Sequence, residues 1–446
     1  MTNLTLQGHQ VGVLLDQICI MIVHRLLERS ITDLYVLLCR KSSYKEKGMH
    51  SYLHEVASRL VNFDTVSSKS NAEAMEYLGA HLDDHGFRVS LQRAEIAGVA
   101  KTNLIACAGP AEPDGLIISG HVDTVPFVGQ PGWTRDPLRL EIEDARVYGR
   151  GTSDMKGFLA QCLDAAGQLD LATLKRPLVF LFTADEELGC LGAERMLPVL
   201  PESLGGIPQP RLAWIGEPTS YQVFHTHKGV VLFTVAVHGL GGHSSVPEQG
   251  VNAIAVAGKV IETIGRYQAE LRTQHSVAFA EIFPESPYTT LNFGSVRGGT
   301  AANMIAEECS LQVSYRPLPQ TDPLEVYREI GRRLQEIDAR DYGSPDHRAT
   351  IEVGEPLLVP PLLSPRETPL EGVLFTILNR HTSGGAPFAT DGCQFARAGI
   401  ASLICGPGDL EQAHQPNESI RRDAFENGTG VILSVVNRMC GAVTLK

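Results

Sequence analysis

The nine cysteines are odd in number and include no C-x-x-C pair. That excludes a zinc–thiolate knuckle and argues against a disulfide framework. Several sit in apolar runs, Cys107 in NLIACAG and Cys405 in ASLICGPG, so reduced core thiols in a cytoplasmic protein are expected. Basic residues are scarce: 38 Lys and Arg stand against 51 Asp and Glu, a net charge of −13, with no basic stripe. Nucleic acid is therefore not expected as a partner. The apolar run 11–23 is broken by Asp16 and Gln17 and is too short to span a bilayer. No basic start with a small-residue cleavage site marks a signal peptide, and no membrane partner is expected. Repeats and low-complexity tracts are absent as well.

What is present is a 446-residue chain, 43% hydrophobic and 20% charged, which predicts a globular protein of two domains. Residues 1–48 read as an extension, either accessory amphipathic helices or a non-native leader. From Tyr52 onward helical spacing alternates with short apolar runs, among them GLIISG and PLVFLFTA. That order predicts a three-layer α/β domain with a mainly parallel sheet. The texture changes near His225. KGVVLFTVAVHG alternates like a half-exposed antiparallel strand, and a strand–helix–strand–strand–helix–strand order follows, the ferredoxin-like split unit. Residues 225–356 are therefore expected as an inserted α+β domain, and 49–224 with 357–446 as the larger domain around it.

The apolar strands end in acids and imidazoles. PLVFLFTADEELG runs from a core strand into Asp185, Glu186 and Glu187, three like charges that need a counter-charge nearby. GLIISGHVD ends in His121 and Asp123, LAWIGEP in Glu217, and ASLICGPGDLEQAH leads to His414. GRGTSDMKG puts Asp154 in a glycine-rich turn that lacks phosphate-loop spacing. In a parallel sheet such ends converge on one rim. Two imidazoles with several carboxylates and no thiolate suit Zn²⁺, Mn²⁺ or Co²⁺.

The pieces SGHVDTVP, GRGTSDMKG, TADEELG, GEPT, GGHSSVPEQGVNAI and GPGDLEQAHQPNESI occur in this order from about Met49 to the C-terminus. The chain resembles the zinc-dependent aminoacylase and carboxypeptidase family, which includes acetylornithine deacetylases, succinyl-diaminopimelate desuccinylases and glutamate carboxypeptidases. The resemblance implies two divalent ions, Zn²⁺ with Co²⁺ as the alternative. His121 and Glu217 would bind one, Glu187 and His414 the other, and Asp154 would bridge them, followed by a cis peptide to Met155. Glu186 would be the general base and Asp123 would orient His121. The inserted domain would form a homodimer, with His243 reaching the neighbour's site to stabilise the oxyanion. Arg316, Asn303 and Thr390, the last in the loop SGGAPFATDG, would face the substrate. Asp185 has no place in the pattern and defaults to a solvated or capping role. The tail is most like the acetylornithine deacetylase branch. The expected reaction is hydrolysis of N2-acetyl-L-ornithine to ornithine and acetate, a step of arginine biosynthesis. Acetylcitrulline, other N-acyl amino acids, succinyl-diaminopimelate and dipeptides stay open as small-molecule substrates. A non-enzymatic binding module on the same fold is the rival from another class.

Overall fold

A computed structural model describes residues 51–337, 347–441 and 443–444. The expected extension, 1–48, lies outside them. The chain divides into two compact units, Met1–Val56 and Ala57–Lys446, and both main sheets lie in the second.

Walking the chain, the strands are β1 (Arg88–Ile96), β2 (Val99–Ala108), β3 (Leu116–His121), β4 (Leu178–Thr183), β5 (Leu212–Ile215) and β6 (Val223–His227). Then come β7 (Val230–His238), β8 (Thr290–Gly298), β9 (Glu308–Arg316), β10 (Thr350–Val353) and β11 (Leu357–Val359). β12 (Leu362–Leu363), β13 (Ser383–Ala386) and β14 (Ala401–Ile404) complete the set used here.

The large sheet runs β1-β2-β4-β3-β5-β14-β6-β12, with β13 also on β6. Its centre, β4-β3-β5-β14, is parallel. Its flanks pair mostly antiparallel, so the whole sheet is mixed. Every residue of β3 and β4 is buried, which explains their unbroken apolar runs: both faces are covered. Val179 and Leu181 of β4 pack among Ile105, Ile117, Met196 and Phe395 on one face. Phe180 and Phe182 point to the other, where Phe87 packs on Phe180 at 5.4 Å and Phe158 meets Trp214 edge-on at 5.5 Å. Helices Lys156–Gln168 and Arg422–Cys440 cover that second face, and Leu191–Met196 and Gly392–Arg397 cover the first. The expected three layers are present.

The small sheet, β8-β9-β7-β10 with β11 on β7, is antiparallel throughout. Helices Ala253–Leu271 and Glu325–Gln335 pack Val256, Val260, Ile264, Ile330 and Leu334 onto Val231, Phe233, Val235 and Val237. This order is the ferredoxin-like arrangement. The expected boundaries at 225 and 357 fall inside β6, a large-sheet strand, and at the start of β11, a small-sheet strand. Strand pairing puts the crossings between His227 and Val230 and between Val359 and Leu362.

The seven described cysteines are all buried and free. No helix among the described residues is long and apolar enough to cross a membrane.

Candidate active site

The parallel register aligns His121 with Thr183, so the loops leaving β3 and β4 emerge side by side. The loops after β5 and β14 are pressed together by glycine: a Cβ on Gly406 would lie 2.1 Å from the Gly216 carbonyl. Glu217 and the segment leading to His414 therefore share the same rim. The turn carrying Asp154 joins them, and the Asp154–Met155 peptide is cis.

Two donor sets meet on one carboxylate. Asp154 Oδ1 lies 3.0 Å from His121 Nε2, and Oδ2 lies 3.2 Å from His414 Nε2. Glu217 Oε2 is 3.8 Å from His121 Nε2, and Glu187 Oε1 is 3.1 Å from His414 Nε2. Ligand-type atoms of His121, Asp154 and Glu187 all fall within 4.8 Å of one another. Glu217 Oε1 is buried without a hydrogen-bond partner.

The electrostatics call for positive charge. Burial, reinforced by neighbouring carboxylates, pushes the Glu186 and Glu217 carboxyls well above their usual range. Burial would lower His121, but its bond to Asp154 and the charges of Glu217 and Glu186 outweigh that and raise it well above an ordinary imidazole. Hydrogen bonds to Asp154 and Glu187 push His414 up to about 10. Burial works against ionisation of Asp154, yet its bonds to both imidazoles hold it well below the usual carboxylate range. Two imidazoles, three carboxylates and an orphaned buried oxygen fit divalent cations.

Asp123 is placed differently from expectation. The His121 Nδ1 partner is the Asp123 main-chain carbonyl, at 3.0 Å. The Asp123 carboxylate stands 3.6 Å from Nδ1 and instead accepts the amides of Glu186 and Glu187 and the Ser67 hydroxyl. Asp185 is a correction. It is neither solvated nor a cap but 1% exposed, ion-paired to Lys101 at 2.6 Å and Arg195 at 2.9 Å. It turns the chain through a left-handed residue, φ 55°, that aims the next two acids at the rim.

The expected substrate-side residues are scattered. His243 is exposed, and its Nδ1 bonds Ser245 Oγ at 2.7 Å within its own loop. The main-chain carbonyl of Asn303 accepts the Ser244 amide of that loop at 3.2 Å. Arg316 ends β9, and its charge adds to the burial that pushes His227 down to about 4. Thr390 is fully buried: its amide donates to His227 Nε2 at 3.3 Å and its hydroxyl accepts the Gly392 amide at 3.1 Å. It shapes the turn into a helix and presents no open face.

Asp391 was not singled out. It is buried, bonds Thr183 Oγ1 at 2.6 Å and leaves Oδ1 unpartnered, with its carboxyl pushed up by burial to about 6. Its position in FATDG, beside a turn already read as substrate-side, was the available signal.

This rim on this fold defines a metal-dependent amide hydrolase. The profile of peptidase family M20/M25/M40 matches residues 117–438, and the chain belongs to that family. It is 36% identical over 386 residues to an acetylornithine deacetylase of Erwinia tasmaniensis, covering 84% of this chain and 93% of that protein. Among solved structures it resembles an M20-family metallo-carboxypeptidase from Sulfolobus solfataricus, with TM-score 0.68 and 18% identity over 88% of this chain and 99% of that one. It also resembles a dinuclear metal-binding M20-family peptidase from Bacillus subtilis, with TM-score 0.60 and 15% identity over 89% and 99% of the two chains.

Proposed function

We propose that the protein hydrolyses N2-acetyl-L-ornithine to L-ornithine and acetate, in the cytoplasm, as a homodimer. The observation that carries the chemistry is Asp154, whose two oxygens divide between His121 and His414 at 3.0 and 3.2 Å. One donor set, His121, Glu217 and Asp154, would hold one divalent cation, and the other, His414, Glu187 and Asp154, a second. Zn²⁺ suits these donors, with Co²⁺ as the alternative. Bound there, the pair supplies Lewis acidity to the amide carbonyl and lowers the pKa of water toward about 7.

The chain's own groups do the rest. Glu186 takes the proton of the attacking water and passes it to the amine as the C–N bond breaks. Asp123 holds Glu186 and Glu187 by their amides. Arg316 and Asn303 receive the substrate's carboxylate and polar groups. His243, exposed on the small sheet's domain, serves the oxyanion in the partner copy. The substrate itself is supported by the relatives named acetylornithine deacetylase.

Initial rates on N2-acetylornithine, acetylcitrulline, acetylmethionine, succinyl-diaminopimelate and one dipeptide test the assignment. Acetylornithine should lead in kcat/KM. Another substrate in the lead would overturn the assignment and leave the amide-hydrolase class standing.

A further inference from the structure

Arg150 and Glu418 form an ion pair at 2.8 Å with both side chains about 1% exposed. Such a pair stabilises poorly by itself, because desolvation offsets the attraction. Its atoms are committed elsewhere. Glu418 Oε1 accepts the backbone amides of Ser153 at 2.9 Å and Asp154 at 3.0 Å. Arg150 Nη1 binds Glu418 Oε2, and Nη2 donates to Gln130 Oε1 at 2.7 Å. Trp133 Nε1 donates to that same oxygen at 3.0 Å. With its oxygen taken by two donors, the Gln130 amide has one orientation, and its Nε2 donates to the His414 carbonyl at 2.7 Å.

His414 needs that hold. Its backbone is left-handed, φ 63°, a conformation that a non-glycine residue keeps only where its surroundings fix it. Its side chain is 50% exposed, so packing does little to fix the ring. The chain Asp154–Glu418–Arg150–Gln130–His414 therefore closes behind the rim. It ties the backbone of the shared carboxylate to the backbone of the distal imidazole.

We propose that Gln130 is a positioning residue that sets the affinity of the His414–Glu187–Asp154 donor set for a divalent cation, touching neither cation nor substrate. This rests on the two-cation reading above. Its signature is asymmetry, because the His121–Glu217 set is held by other groups.

The test is Zn²⁺ titration of the full chelator-stripped chain by calorimetry, with Co²⁺ absorption as a second readout. Wild type should bind two equivalents. Gln130→Glu keeps the acceptor for Arg150 and Trp133 but loses the donor to His414, and Gln130→Met loses both. Each should weaken one site by about 10–100-fold, leave the other unchanged and alter the Co²⁺ spectrum of one equivalent only. The melting temperature of the stripped Gln130→Glu protein should stay near wild type. Two unchanged sites, or equal weakening of both with a fall in melting temperature, would overturn the inference alone. A wild type that binds one equivalent would overturn the two-cation reading and this inference with it.

Discussion

Asp123 Oδ1 accepts the backbone amide of Glu186 at 3.2 Å. The carboxylate two residues beyond the metal-type histidine thus works on the base loop, while the main-chain carbonyl of Asp123 steers the imidazole. Asp123→Ala keeps that carbonyl but releases Glu186 and Glu187. Activity on the proposed substrate should fall about 10–100-fold, mainly in kcat. Steady-state kinetics with metal content measured in parallel checks this.

Asp185 is paired with Lys101 and Arg195, and the Lys101 pair is almost fully buried, with side chains 1% and 6% exposed. Removing one partner leaves a buried charge uncompensated. Asp185→Ala should cost about 3–5 kcal/mol, read from the urea midpoint. Lys101→Met in the same background should recover part of that loss.

His227 is buried as the neutral ring, its Nε2 accepting from Thr390 and its Nδ1 donating to Lys228 O. Burial pushes its pKa down to about 4, against 6.5 for a free imidazole. Between those values the unfolded chain binds a proton that the folded chain does not. This contribution is therefore present above pH 6.5 and lost as pH falls toward 4. It amounts to about 3 kcal/mol at most. Wild type should lose more stability than His227→Gln on going from pH 7 to pH 5, measured by denaturant unfolding at each pH.

If His243 serves the partner's site, two defects on different copies complement. Glu186→Gln and His243→Ala homodimers should each be slow. Mixed after mild dissociation, they should regain roughly a quarter of wild-type activity, because half the dimers are mixed and one site of each is intact. No gain in a confirmed mixed dimer would remove His243 from the shared site.

Much of this was legible because burial writes itself plainly into parallel strands. The unbroken apolar runs of β3 and β4 announced covered strands, and the polar residues at the ends of β3, β4 and β5, His121, Glu187 and Glu217, lie along one rim. The split order of the small sheet was equally visible in its period-two pattern. What stayed hidden depends on partners remote in sequence or on single atoms. Asp185 looked solvated because Lys101 lies on a distant strand. The H-x-D spacing brought Asp123 to His121 without saying which oxygen faces the ring. Thr390 sat in a substrate-like loop, yet its turn buries it. Gln130 carried no signal, because its role exists only once two loops close over Arg150.

The most direct test is ornithine release from N2-acetylornithine by three samples: zinc-loaded wild type, chelator-stripped wild type and zinc-loaded Glu186→Gln. Turnover should be confined to the first, with Glu186→Gln binding zinc normally and losing about 10²–10⁴-fold in kcat. Turnover that survives stripping, or a zinc-loaded Glu186→Gln near wild-type rate, would contradict the account at its centre.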